Sequence, residues 1–297
     1  MTEPRTSVAA AAASRGARLT AEGFGSFLIV FIGVGASLFT ATLFADPGAG
    51  SAVNLTVALA FGIALLAAFT SFAGISGGHF SPVVTIGAAA AGRLAWRDAL
   101  PYVLAQIIGG VIASTALIVV GLFGPERWLE RVQDAGFAST GWGTLSPGGF
   151  GMPAVIVLEV ILTALLVLVF LSVTHPERRT AAGGVAIGLT FAAVQFVAIP
   201  VAGGAANPAR SIATAIYGGI GPLAQLWVFL VFPAIAAAAI GVAYRALFDG
   251  TVESDGTVES DGTVEPDGTV EPDGTVESDG TVNGGATDGG STPLTPR

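Results

Sequence analysis

Apolar residues along this chain neither alternate with polar ones nor recur with helical period; they come in long runs. Runs near 21–44, 52–73, 99–122, 153–174, 183–201 and 222–247 each match the roughly 20 residues that a helix needs to cross a bilayer. The pattern predicts six spans. Two shorter apolar stretches, 82–92 and 208–217, follow spans two and five and are too short to cross. Backbone that stops at mid-depth is tolerated only where protein or a watery cavity surrounds it. These two stretches are therefore expected to be re-entrant half-helices.

The polar residues that interrupt the runs repeat themselves. GGHFSPVVT (Gly77 to Thr85) aligns with GGAANPARS (Gly203 to Ser211), a glutamate opens the first span of each half (Glu22 and Glu159), and Leu-Ala-Gln recurs at 104–106 and 223–225. Three spans per half is an odd number, so the second half must lie inverted relative to the first. The fold class is an all-α membrane protein with six transmembrane helices and two half-helices in an inverted 3+3 repeat. The half-helices then enter from opposite faces and meet near the midplane.

Ser and Asn are favoured N-caps, and Pro suits the first helical position because its missing N–H would be unpaired there anyway. Ser81-Pro82-Val83 and Asn207-Pro208-Ala209 thus predict two helix starts aimed at one point. Their positive ends repel a cation and reorient a neutral dipole. Asn207 can donate through its amide, the Gly-Gly carbonyls can accept, and Arg210 adds a fixed charge. A lone Asn-Pro would more simply start an ordinary loop helix; matched placement in two inverted halves favours a pore.

Composition agrees with a membrane protein: 52% of residues are hydrophobic and 11% charged, with a mean hydropathy of +0.75. There is no cysteine, so disulfides and thiolate chemistry are excluded, and His79 and His175 alone do not suggest a metal site. Charge is concentrated at the end. Of 21 acidic residues, 12 lie between Asp249 and Asp288, so residues 1–248, with 9 acidic and 11 basic groups, are about neutral and the net charge of −9 belongs to residues 249–297. That segment repeats GTVESD or GTVEPD five times and has too little apolar surface to fold alone. Residues 1–18 are polar and Ala-rich without an apolar core, which argues against a cleaved signal peptide. Residues 19–248 form the channel-like domain between these segments. Arg5, Arg15, Arg18, Arg93, Arg97, Arg178, Arg179 and Arg245 fall on one side of six crossings, against Arg127 and Arg131 on the other, which places both termini in the cytoplasm.

Over residues 19–248 the chain resembles the aquaporin (major intrinsic protein) family, and within it the bacterial aquaporin Z type. The resemblance is carried by VALAFGIAL (57–65), ISGGHFSPVVTIG (75–87), YVLAQIIGG (102–110), AIGLTFAAVQFVAIPV (186–201) and NPARS (207–211). It implies a passive plasma-membrane water channel, a homotetramer with a pore in each subunit, no cofactor, no covalent chemistry and no nucleic-acid partner. It also implies an outer selectivity filter at Phe61, Gln195, Gly204 and Arg210. Glu22 and Glu159 would hold the re-entrant loops through backbone hydrogen bonds, with His79 in a fixed hydrogen-bonding role.

The chain departs from the family pattern in two places. The first Asn-Pro-Ala box reads Ser81-Pro82-Val83, and Gln195 replaces the His usual in strict water channels. With Gly204 beside it, the filter is expected to be slightly wider yet polar, which keeps ammonia, hydrogen peroxide or a small amide as alternative permeants. Glycerol is disfavoured by Ser211, where glycerol channels typically carry Asp. Coupled transport through Glu22 or Glu159 is the runner-up mechanism, and protonation of His79 is an alternative gating device.

Overall fold

The computed structural model describes residues 13–43, 50–178, 180 and 182–248. The acidic tail 249–297, most of the N-terminal segment (1–12), Arg5 and Arg179 lie outside the described residues. The described regular elements are all helices: α1 (Arg15–Leu43), α2 (Gly50–Ser76), α3 (Pro82–Ala90), α4 (Trp96–Leu122), α5 (Trp128–Asp134), α6 (Met152–Val173), α7 (Gly183–Ala202), α8 (Pro208–Gly218) and α9 (Ile220–Phe248), with two short 3₁₀ turns between them. Six of these, α1, α2, α4, α6, α7 and α9, are long and apolar enough to cross a membrane. The half-helices α3 and α8 begin at the two prolines.

The inverted repeat is visible in the packing. Exchanging α1 to α4 for α6 to α9 turns each contact into another that is present: α1·α2 into α6·α7, α1·α4 into α6·α9, and α3·α9 into α8·α4. Two contacts, α2·α7 and α3·α8, map onto themselves, so the pseudo-twofold axis runs through them. At the α2·α7 crossing Gly62 and Gly188 face each other. A Cβ on Gly188 would stand 2.8 Å from the Gly62 carbonyl oxygen, and one on Gly62 would stand 2.5 Å from that of Gly188. Small residues let membrane helices approach this closely.

The distribution of side chains is that of a protein solvated by lipid. Phe24, Ile63, Ile108, Ile161, Leu189 and Ile235 are exposed on the outside, while Glu22, Gln106, Glu159, Gln195, Asn207 and Arg210 are buried. Polar groups in such an interior need partners of their own, and those partners build the site.

The elements differ from the sequence expectation at their ends. The first span starts at Arg15, inside the segment assigned as polar, because Ser14 caps it: its Oγ accepts from the Ala17 amide at 3.2 Å. Arg15 and Arg18 then reach Asp98 of α4 at 3.9 and 3.7 Å. Half-helix α3 stops at Ala90, short of 92, because Gly92 turns left-handed (φ 78°) and Arg93 N donates to Ala88 O at 2.8 Å, a C-terminal wrap that glycine favours. Helix α5 was not expected at all. Its apolar residues are Trp128, Leu129 and Val132, of which Trp128 and Val132 are buried, and the Trp128 ring stacks on Phe39 of α1 at 5.2 Å.

Candidate functional site

Each half-helix is preceded by a loop with the same backbone turn. In the first, Gly77 (φ 100°), Gly78 (φ 77°) and Phe80 (φ 52°) are left-handed; in the second, Gly203 (φ 75°), Gly204 (φ 134°) and Ala206 (φ 57°). The glycines adopt this conformation at little cost, whereas Phe80 and Ala206 adopt it under strain that the surroundings must hold. Both sit directly before the box residues, Ser81 and Asn207, and both have their amide N–H fixed by a buried glutamate.

Glu22 accepts four hydrogen bonds. Its Oε1 receives Ser76 Oγ at 2.6 Å and His79 N at 3.0 Å, and its Oε2 receives Phe80 N at 2.6 Å and Gln106 Nε2 at 2.7 Å. Gln106 also donates to Thr85 Oγ1 at 2.9 Å, which in turn lies 3.2 Å from His79 Nδ1. The His79 ring packs against Tyr102 and Phe170, with centroids 5.4 Å from each. The first loop is thus bolted to α1, α2, α3 and α4 at once.

Glu159 is placed alike and does less. Its Oε2 accepts from Ala206 N at 3.1 Å. The repeated glutamine, Gln225, turns elsewhere: its Oε1 accepts from Trp142 N at 2.7 Å.

The two boxes meet. Ser81 Oγ donates to the Ala206 carbonyl at 3.2 Å, across the junction of the halves. This corrects the expectation that Ser81 caps its own helix with its side chain: its Oγ accepts from no backbone amide of α3, because the side chain is turned toward the opposite loop. Asn207 does cap: its Oδ1 accepts from Arg210 N at 3.2 Å. That bond fixes the amide plane and leaves Nδ2 buried with no protein partner. Pro82, Val83, Pro208 and Ala209 form the buried first turns behind the two residues.

The residues assigned to the filter are also brought together. The Arg210 guanidinium lies over the Phe61 ring at 5.7 Å. A Cβ on Gly204 would stand 3.1 Å from Gln195 Oε1 and 3.2 Å from Arg210 Cζ, so both polar ends sit where a side chain would otherwise be. Arg210 Nη2 donates to the carbonyls of Ala138 and Gly203, each at 2.8 Å. Its Nε and Nη1 are buried without protein partners. Ala138 follows Gly136 and Phe137 in an unbroken left-handed stretch (φ 84°, 49° and 51°), which turns its carbonyl onto the arginine.

Ser76, Thr85, Gln106 and Ala138 were not singled out from the sequence. Gln106 stood in the repeated Leu-Ala-Gln, which was the available signal; the others act through groups that almost any residue of their type carries. Among the described residues no group of His, Asp and Glu is arranged to hold a metal ion. What the site offers is a set of buried donors without protein partners, Arg210 Nε and Nη1 and Asn207 Nδ2. A buried donor left unpaired costs about 1–3 kcal/mol, and a passing oxygen relieves that cost.

Comparison with known proteins agrees on the fold and its kind. The family described as Major intrinsic protein matches residues 10–244. Aquaporin Z of Photorhabdus laumondii subsp. laumondii is 39% identical over 233 residues, covering 78% of this chain and 97% of that protein. Aquaporin Z of Brucella melitensis biotype 1 is 37% identical over 230 residues, covering 77% and 97%. The X-ray structure of the aquaglyceroporin from Plasmodium falciparum superposes with a TM-score of 0.67 at 18% identity, over 79% of this chain and 97% of that one. At that identity the likeness concerns the fold alone.

Proposed function

The chain belongs to the major intrinsic protein family, and on that footing we propose that it is a passive transmembrane channel for water. The proposal rests above all on one arrangement: Asn207 Nδ2 stands without a protein partner where the two half-helices meet, and Arg210 Nε and Nη1 do so within the first turn of α8. A permeating water accepts from these donors and is handed on, with no covalent step. A cation meets the Arg210 charge and the positive ends of α3 and α8. Phe61, Gln195, Gly204 and Arg210 form the outer filter in this reading, and Ser81 and Asn207 the central junction.

Gln195 Oε1 and the Arg210 guanidinium take up the space that a side chain at Gly204 would fill, and the unpartnered Arg210 donors keep the filter polar. Ammonia and hydrogen peroxide are the second class of permeant. Coupled transport is disfavoured because both buried carboxylates, Glu22 and Glu159, bind loop backbone. The working assembly is a homotetramer in the plasma membrane. Both termini are cytoplasmic, with Arg15, Arg18, Arg93, Arg97 and Arg245 on that side.

The test is stopped-flow light scattering on proteoliposomes holding the full chain. Shrinkage much faster than in empty vesicles, with a low temperature dependence, is the expected result. Shrinkage no faster than bare lipid, with protein folded and inserted, would overturn the water reading. Urea, glycerol, ammonia and peroxide gradients on the same vesicles would then identify the permeant.

A further inference from the structure

Gln195 occupies a filter position, yet its amide points at the protein. Its Nε2 donates to the Ala205 carbonyl at 3.0 Å, and its Oε1 accepts from the Ala205 amide at 3.3 Å. One side chain thereby grips both polar groups of a single loop residue, and Gln195 itself is fully buried.

The repeat explains why that grip is needed. Counting from the paired glycines, Ala205 and Ala206 correspond to His79 and Phe80. In the first half both amides go to Glu22, at 3.0 and 2.6 Å. In the second half Glu159 takes only Ala206 N, at 3.1 Å, and Gln195 takes the amide that remains. The helper glutamine of the first half, Gln106, has no counterpart on Glu159, since Gln225 binds Trp142 instead. The second loop is therefore held from α6 and α7 jointly.

Ala205 is joined through Gly204 to Gly203, whose carbonyl receives Arg210 Nη2 at 2.8 Å. We propose that Gln195 is a positioning residue, which sets the filter arginine by clamping Ala205, and that selectivity depends on it through Arg210 more than through contact with the permeant. The proposal deepens the channel reading and rests on it for its selectivity consequence. The mechanism is mechanical: freeing Ala205 lets the 203–206 turn relax, and the guanidinium loses one of its two carbonyl anchors.

A double-mutant cycle separates the clamp from direct contact, because residues acting through a shared partner are not additive. Gln195→Met keeps the length and removes both hydrogen bonds. Urea permeability relative to water, measured on full-chain proteoliposomes, should rise about tenfold, the worth of roughly one buried hydrogen bond. In an Arg210→Ala background the same substitution should leave the ratio unchanged. An equal rise in both backgrounds would mean that Gln195 meets the permeant directly, and the proposal fails. No rise in either background would also overturn it.

Hydrogen exchange read by mass spectrometry checks the clamp without any flux. The 203–206 amides should lose about tenfold in protection in Gln195→Met, while the 77–80 amides keep theirs. Unchanged protection at 203–206 would sink the clamp even if the parent chain conducts water. If the parent conducts none, the channel reading falls and exchange alone decides the clamp.

Discussion

Between Gly77 and Ser81, and again between Gly203 and Asn207, the backbone makes the same left-handed turn, yet the two loops are held by different means. The first hangs on one carboxylate with four donors. The second is shared among Glu159, Gln195 and, through Arg210, the Ala138 carbonyl. The first loop ends in a serine whose proton is spent inside the protein, the second in an asparagine with a free N–H. A repeat that preserves backbone geometry has thus divided the labour: one loop is a brace, and the other carries the buried donors without protein partners.

The largest effect should come from removing the brace. Glu22→Ala strands the buried donors of His79, Phe80 and Gln106, and is expected to destabilise the protein by about 3 kcal/mol or more. Glu159→Ala strands only Ala206 N and should cost about 1–2 kcal/mol. Thermal unfolding of the two variants in detergent measures the difference; equal losses would show that the loops are braced alike.

Next is Arg210→Ala, which removes the filter charge and releases the Ala138 and Gly203 carbonyls. Urea permeability should increase about tenfold relative to water, and cation leak should become measurable with a voltage-sensitive dye. Asn207→Ala comes third. Losing the cap costs about 1 kcal/mol, and water flux should fall with loss of the central donor.

The smallest change is expected from Ser81→Asn, which gives the first box the residue of the second. Stability should stay within about 1 kcal/mol of the parent, because one cap is gained as the Ala206 bond is lost. Water flux should be at least the parent's. A marked loss of either would show that Ser81 is matched to Ala206 more tightly than its single bond at 3.2 Å suggests.

How much of this was legible in the sequence depends on what each feature is made of. The spans were legible because lipid demands long apolar runs, and α3 and α8 because proline can start a helix but not continue one. The inversion followed from three crossings per half. Helix α5 was not legible, since Trp128, Leu129 and Val132 make too short a pattern among Arg127, Glu130 and Arg131. The site shows the same division. Side-chain chemistry at Asn207 and Arg210 could be read from residue type, but which backbone group each would find could not. Gln106 and Gln225 look equivalent in the repeated Leu-Ala-Gln; only the fold assigns one to Glu22 and the other to Trp142. The Ala138 carbonyl has no sequence signature, because every residue has a carbonyl.

The bracing of the first loop has a consequence for synthesis. All four donors to Glu22 come from residues numbered 76 to 106, so this network calls for nothing that the ribosome makes later. The surroundings of Arg210 draw on Phe61, Ala138 and Gly203 and cannot be completed until nearly the whole bundle exists. A chain halted after its fourth helix would already own the Glu22 network, while Ser81 would still wait for Ala206, His79 for Phe170 and Gly62 for Gly188.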